Sequence, residues 1–534
     1  SSAIDALNIL AGVWTAASVG MVIFIIHELI ALTASAPSKK PLATLLVADA
    51  CALLFAFSAT VWAQGTSIEV YSLQLLLTSL ALWCTLKSVT VRWTALASLC
   101  VGLMLANHIS SLFVVPGLLA MWYLGIRGKR SVVRMLPWLL VPSLLALALY
   151  AYLPLRSAQL PVVNWGLVHR SMEAFMYHVK GTQYSVWLFS ENSEASKNIA
   201  LAWGLLAASI LFIGLIPVGV GLFTLFKRRL GVAVGLLLML VGNVVISVGY
   251  DIPDIDNYFL PMLLVVALWF AVGLYTILGS LRNRPAVAAV LFVLPVIALV
   301  LGWPAQNRSS HVAVDAYSRW ALANAEPGAI IISRQWDYLC SAVFYMQNVE
   351  QYRTDVVLIE KEHLRRTWYV PYLQYRYPEL MKNVRKEADA YMEILAQFER
   401  DSKAFNEDRM LIQQIQQRYV ALLQAILTTN ASRPRYVTFE IINEPEALAA
   451  AFEPYPVGPL VRLGVRGEKA QNVRFNYTDS LVLGLRKRTE RLDDGLRRLV
   501  RDVVQSNVQY SNALGNSANV SQFRTIDAQL LRRR

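Results

Sequence analysis

Residues 230–279 read LGVAVGLLLMLVGNVVISVGYDIPDIDNYFLPMLLVVALWFAVGLYTILG. Two apolar runs, 230–249 and 258–279, each supply the ~20 residues that a helix needs to cross a hydrocarbon core. Between them stand Asp251, Asp254 and Asp256 with no Lys or Arg. The whole chain of 534 residues has a mean hydropathy of +0.44 and only 16% charged residues, against roughly 25% in soluble proteins. The deficit is uneven. Residues 1–305 are apolar runs broken by short polar connections, whereas 306–534 have an ordinary soluble composition rich in Arg, Glu and Gln.

Working outward from 230–279, spans are expected near 8–33, 42–63, 70–86, 93–108, 111–126, 135–155, 198–226, 230–249, 258–279 and 285–304, about ten in all. Lys39/Lys40, Lys87/Arg92, Arg127/Lys129/Arg130/Arg134, Lys227/Arg228/Arg229 and Arg282/Arg284 fill alternate connections, while 64–69, 109–110 and 250–257 hold no basic residue. Basic connections stay in the cytoplasm. With 93–126 crossing twice, every basic connection falls on one side, and the acidic connections and everything after 305 lie outside. Ser1 falls outside as well, which predicts a further span upstream of it. The net charge of +13 is largely absorbed by these connections, so no nucleic-acid partner is expected.

The expected organisation is a polytopic α-helical membrane domain over 1–305, an extracytoplasmic α/β domain over 306–480, and a charged, mostly helical tail over 481–534. In the soluble part, 329–332, 355–359 and 436–441 have the apolar, β-branched character of buried strands. Residues 337–349, 383–400 and 404–428 have helical periodicity, and the polar stretch 506–521 interrupts the tail. Cys51, Cys84 and Cys100 lie in apolar runs and Cys340 stands alone in the soluble part, which leaves no disulfide framework. P-loop, dinucleotide-binding, serine-hydrolase and zinc-protease motifs are absent.

Polar groups at span ends are costly and therefore candidates for function. Glu69, between two spans, is a base or acceptor-positioning group, or an acid favoured by a helix N-terminus. Asn107-His108 occupies a short turn and binds phosphate, shuttles a proton, or caps a helix. Arg156, just beyond a span, suits a phosphate or anchors in lipid headgroups. Trp165, Tyr177, Tyr184 and Trp187 fit an amphipathic surface helix within 156–197, as interfacial belt residues or sugar platforms. Asp254-x-Asp256 could hold a divalent cation against a phosphate, or be an ordinary acidic turn. Asn164, Asp251 and Tyr258 flank these groups.

The stretches Phe57-Ser58-Ala59-Thr60-Val61-Trp62-Ala63-Gln64 and Ile68-Glu69-Val70-Tyr71-Ser72 resemble a bacterial membrane family of once-unknown function. That family is related to protein O-mannosyltransferases of the GT-C fold. Similar motifs follow in order: Ala106-Asn107-His108, Tyr152-Leu153-Pro154-Leu155-Arg156-Ser157, Asn164-Trp165-Gly166, His178-Val179-Lys180-Gly181-Thr182-Gln183-Tyr184, Tyr250-Asp251-Ile252 and Asp256-Asn257-Tyr258-Phe259-Leu260-Pro261. Asn348–Val356 and Thr367-Trp368-Tyr369 continue the likeness into the soluble part.

The resemblance implies a bacterial inner-membrane glycosyltransferase. It would take a sugar from a polyprenyl-phosphate carrier on the extracytoplasmic face and pass it to a hydroxyl of an exported protein or glycan. Glu69, Asp254 and Asp256 are then the catalytic candidates. Asn107, His108, Arg156, Asn164, Trp165, Tyr184, Asp251 and Tyr258 are the substrate-binding ones. The family's acidic first-loop motif would lie upstream of Ala6, which places the main base outside this chain. Two other readings stay open: a non-catalytic membrane scaffold that docks into a complex, and a transporter, although no repeat symmetry of the transporter kind is visible.

Overall fold

The computed structural model describes residues 3–33, 41–190, 194–279, 285–400, 407–442, 451–486 and 491–532. The chain divides into two compact units: Ser1–Arg156 with Val168–Arg308, and Ser157–Leu167 with Ser309–Arg534.

The first unit is helical. Among the described residues four helices are long and apolar enough to cross a membrane: Ala3–Thr33, Val132–Ser157, Leu230–Val248 and Ile255–Leu278. Shorter apolar helices, Thr44–Ala56, Tyr71–Leu86, Val91–Asn107, Val115–Ile126 and Val293–Gln306, accompany them. The helix at Ile255–Leu278 is 78% buried and central, whereas Val132–Ser157 is only 11% buried. An apolar helix with nearly all its side chains turned outward has to be solvated by lipid, so these helices point to a membrane protein.

Several expected spans are broken. The run 42–63 is a helix over Pro41–Ala56, then a turn at Phe57-Ser58, then Ala59–Gln64. The run 198–226 is Ala195–Ser209 and Leu215–Arg228, separated where Leu211 and Phe212 take left-handed φ of 53° and 61°. Uniform hydropathy conceals such a break, because the hinge residues are as apolar as the helices they separate. The run 285–304 is likewise Pro285–Val290 and Val293–Gln306.

Two glycine pairs let helices touch backbone to backbone. A Cβ built on Gly221 would overlap the Trp269 carbonyl, and one on Gly273 would overlap that of Pro217. Gly117 and Gly235 face each other in the same way. Close approach through small residues is how helices pack where lipid removes the hydrophobic drive between them.

Basic side chains gather at one end of the unit. Arg228 Nη1 donates to Thr33 O at 2.8 Å and Arg229 Nε to Leu32 O at 2.6 Å, closing the C-terminus of the first helix. Lys87 Nζ sits 3.3 Å from Glu28 and lies over the Trp83 ring, and Arg130 Nε donates to Val89 O. Lys39, Lys40, Arg282 and Arg284 lie outside the described residues.

The second unit holds a five-stranded sheet, β1 (Ile330–Ser333), β2 (Val357–Glu360), β3 (Arg435–Thr438), β4 (Glu453–Val457) and β5 (Leu460–Gly464), in the order β2-β1-β3-β5-β4. β2, β1 and β3 are parallel, and β5 and β4 join antiparallel. Ile331, Leu358 and Tyr436 face one core, which includes Val343 and Phe344 of Ser341–Asn348. Ile330, Ile332, Val357, Ile359 and Val437 face the other, made with the helices between 369 and 429.

The expected strands at 329–332 and 355–359 begin one and two residues before β1 and β2. The strand expected at 436–441 turns helical from Phe439. The β4–β5 hairpin is not visible in the sequence, since Pro454 and Pro456 argue against a strand; β4 is an edge strand, where a missing N–H is tolerated. The polar stretch 506–521, expected to interrupt the tail, is mostly helical within Arg491–Ala513 and Ser517–Leu531.

Candidate functional site

Three separated segments of the first unit converge at the end opposite the basic side chains. The first follows the turn at Gly65, where Glu69 precedes the helix Tyr71–Leu86. That helix puts Tyr71 and Gln74 on one face, three residues apart, and reaches Lys87 at its other end. The second is the end of Val91–Asn107. Asn107 Nδ2 donates to Val70 O at 3.1 Å and to Gln74 Oε1 at 2.8 Å, tying the two helix ends together. His108 is extended, and its Nδ1 pairs with Ser110 Oγ at 2.7 Å. The third is the acidic connection 250–258. Its Asn257 Oδ1 accepts from Gln64 Nε2 at 2.8 Å, and its Tyr258 carbonyl accepts from Asn243 Nδ2 at 2.7 Å.

These contacts assemble a ring cluster. Tyr258 lies 5.7 Å from Tyr71, 5.5 Å from His108 and 5.4 Å from Tyr250, and Tyr71 lies 5.5 Å from His108. Edge-to-face pairs of this kind contribute ~0.5–1.5 kcal/mol each beyond burial. Beneath them lies a cavity of about 20 Å³, bordered by Tyr71, Gln74, Ser111, Asn243, Asn257 and Tyr258. It has room for about one water molecule. Glu69 and Asp254, which do not line it, are exposed.

Charge is coupled across this rim of the unit. Desolvation first, and then the Asp254 charge, raise the pKa of Glu69. Burial lowers that of His108, and Asp254 opposes the change. At neutral pH the imidazole is therefore uncharged, and able to donate from one nitrogen and accept at the other.

Of the residues singled out in the sequence, Glu69, Asn107, His108, Asp254 and Tyr258 meet here. Asp256 feels both Asp254 and Arg308. Asp251 is engaged with the preceding connection, where it accepts from Ser190 Oγ at 3.0 Å and from the Glu194 N–H at 3.1 Å. Tyr184 is exposed, 6.0 Å from Trp187, and close enough for its phenol to act on Tyr250 and Tyr258. Arg156 stands exposed in the last turn of Tyr152–Ser157.

Asn164 and Trp165 belong to the second unit, where Asn164 closes a loop by donating to Ser157 O and accepting from Ser157 Oγ. The single surface helix read across Trp165, Tyr177, Tyr184 and Trp187 is instead three short pieces, Trp165–Leu167, Met172–Val179 and Thr182–Trp187. Gly181, with φ of 62°, separates the last two, and Gly166, with φ of 79°, kinks the first from within.

Among the described residues no group of three His, Cys, Asp or Glu side chains converges. Asp254 and Asp256 could therefore hold a divalent ion only with water and substrate phosphate completing its shell. Gln74 and Asn243 were missed. A lone amide inside an apolar run, as Asn243 is in 230–249, was the signal available.

Residues 1–131 match the family model described as the N-terminal domain of the protein O-mannosyl-transferase TMEM260. That stretch carries Glu69, Asn107 and His108 and ends before the acidic connection 250–258. No curated protein matches the chain. Apolar helices of spanning length fit a membrane protein, and a polar cluster stands at one end of them. The nearer description is a chain whose first 131 residues are similar to an O-mannosyltransferase domain.

Proposed function

We propose that the protein passes a sugar from a polyprenyl-phosphate carrier to an acceptor hydroxyl at the extracytoplasmic face of a bacterial inner membrane. The observation that carries this reading is the convergence of Glu69, His108, Asp254 and Tyr258 at the rim of the helical unit. Two of the three contributing segments lie within the O-mannosyltransferase-like stretch. The basic side chains at the opposite end, Lys87, Arg130, Arg228 and Arg229, support an orientation with the rim outside. About ten crossings and a GT-C-like arrangement belong to the same proposal.

In this reaction we assign the base role to Glu69, in place of the upstream acid that the family resemblance implies, so that Glu69 takes the acceptor hydroxyl proton. The acceptor oxygen attacks the anomeric carbon as its bond to phosphate breaks, and the polyprenyl phosphate leaves as an anion. Asn107, His108 and Tyr258 offer hydrogen bonds to the sugar. Arg156 is assigned to the carrier phosphate. Asp254 keeps the Glu69 carboxylate basic and, with Asp256, is the candidate holder of a divalent cation.

The test is transfer from polyprenyl-phosphate mannose to a Ser/Thr peptide by the full chain in lipid nanodiscs. Glu69→Gln should lower the rate ~10²–10⁴-fold, the usual contribution of a positioned base. Unchanged transfer would remove Glu69 from the chemistry. A folded wild-type chain that never transfers would leave the scaffold reading standing.

A further inference from the structure

The second unit has a polar strand-end edge that the transfer chemistry does not use. The chain leaves β1 onto the face covered by Ser341–Asn348 and leaves β2 onto the opposite face. Where adjacent parallel strands send their connections to opposite faces, the carboxyl ends of the strands flank a crevice that takes ligands.

Here that edge is lined with polar groups. Ser333 ends β1 beside Glu360 at the end of β2. Across β1, Ser333 Oγ and Thr438 Oγ1 are 3.1 Å apart. Thr438 Oγ1 and Gln335 Nε2 both donate to the Glu440 carboxylate, at 2.5 and 2.6 Å.

Rings stand directly beyond the strand ends. Trp336 follows β1 in a single π-helical turn, a distortion common at functional sites. Its ring is half-buried and lies 5.1 Å from that of His363, which follows β2. Trp165 and Trp368 lie 5.5 and 5.4 Å from His363. Trp165 Nε1 and His363 Nδ1 are buried without a hydrogen-bond partner among the described residues; Nδ1 is 3.3 Å from Glu360 Oε2 but poorly aligned for a bond. Buried polar atoms seldom go unpaired, so two orphans in one ring cluster mark a place where a partner is missing.

The chemistry selects among partners. The carboxyl groups Glu360 and Glu440 are offset by Lys361 and Arg366, whose charges act on Glu360 and His363, so an anion is not favoured over a neutral ligand. Burial pushes Glu360 up to about 7, and its oxygens already accept from the Glu362 and His363 N–H groups, so it offers a cation no full charge. A neutral ring with one apolar C–H face and several hydroxyls fits both the indole surface and the acceptor row.

We propose that the carboxyl ends of β1, β2 and β3 form a second site for a neutral hexose, with Trp336 as its stacking surface and Gln335, Glu360 and Glu440 as hydroxyl partners. The hexose would be part of the glycosylated acceptor, an assignment that rests on the glycosyltransferase reading above. The site holds a sugar already transferred and has no part in bond making.

The experiment titrates the full chain in nanodiscs with methyl α-D-mannopyranoside by saturation-transfer NMR, with choline and inorganic phosphate as charged comparisons. Saturable mannoside binding is expected, weakened at least tenfold by Trp336→Ala and by Glu440→Gln and kept by Glu69→Gln. No saturable binding, equal binding in both site variants, or a stronger response to choline would overturn it. If Trp336→Ala loses its thermal transition, Glu440→Gln decides. Transfer without mannoside binding sinks this site alone, and mannoside binding without transfer sinks the transferase reading alone.

Discussion

Desolvation, and then the charge of the facing Asp254, make Glu69 hold its proton to a higher pH than a solvated glutamate would. Its base form is lost as pH falls through that raised value, so the acid limb of the rate profile should lie above the ~4.3 of a free Glu side chain. Asp254→Asn removes the charge that helps to raise it. The limb should then move to lower pH in kcat/KM measured across pH 4–8; an unmoved limb would uncouple the two residues.

Glu360 titrates in the opposite sense to a stabilising carboxylate. Its folded pKa of about 7 against 4.5 unfolded means that stability is fully present below 4.5 and is lost as pH rises through 7. Glu360→Gln should therefore raise the thermal midpoint more at pH 8 than at pH 5. The difference has an upper bound on the order of 3 kcal/mol. His363, lowered to about 4 by burial, carries the converse dependence and loses stability as pH falls from 6.5 toward 4. At this scale the sequence showed Glu69, His108 and Asp254, because charges between apolar runs are conspicuous. It hid Gln74, which looks like an ordinary residue of a span until the fold turns it toward the rim.

At the scale of elements, the two glycine crossings are the most sensitive contacts. Gly273→Val should lower the thermal midpoint of the detergent-solubilised protein, since forcing a side chain into the Pro217 backbone carries an overpacking cost of ~1–3 kcal/mol or more. Gly20→Ala is the comparison: a Cβ there meets nothing within 4 Å, and the midpoint should stay or rise. Equal effects would mean that the crossing tolerates separation.

In the second unit, Asn507 donates to Gly458 O at 2.9 Å and accepts from the Gly458 N–H at 3.0 Å, fixing the β4–β5 turn from a distant helix. Asn507→Ala should cost ~1–3 kcal/mol by leaving that buried N–H unpaired, read as earlier hydrogen exchange in 453–464. Apolar helices and the parallel strands were legible because each has a strong periodic pattern or a long apolar run. The hinge at 210–214, the prolines of β4 and the helical polar tail were not, because tertiary contacts decide them.

At the scale of the whole molecule, the separation of basic and polar ends makes a labelling prediction. Cysteines introduced at Ser67 and Ser309 should react with an impermeant maleimide in intact cells, while one at Ser131, beside the Arg130 contact, should react only after permeabilisation. The reverse pattern would invert the proposed face of transfer. The two-part composition of the chain was plain from hydropathy alone. The assignment of residues 157–167 to the second unit was not, because a short stretch inside a long connection carries no compositional mark of the body it joins.

That assignment has a practical corollary. The polypeptide passes between the two bodies at 156/157, at 167/168 and at 308/309. A recombinant fragment starting at Ser309 would leave behind Trp165, with its rings at His363 and Trp336, and Pro161, whose carbonyl accepts from Tyr375 Oη. One scissile point after 308 therefore does not liberate a self-sufficient soluble piece. The missing strip would have to be fused on or supplied as a separate peptide before the excised piece regains its native surface.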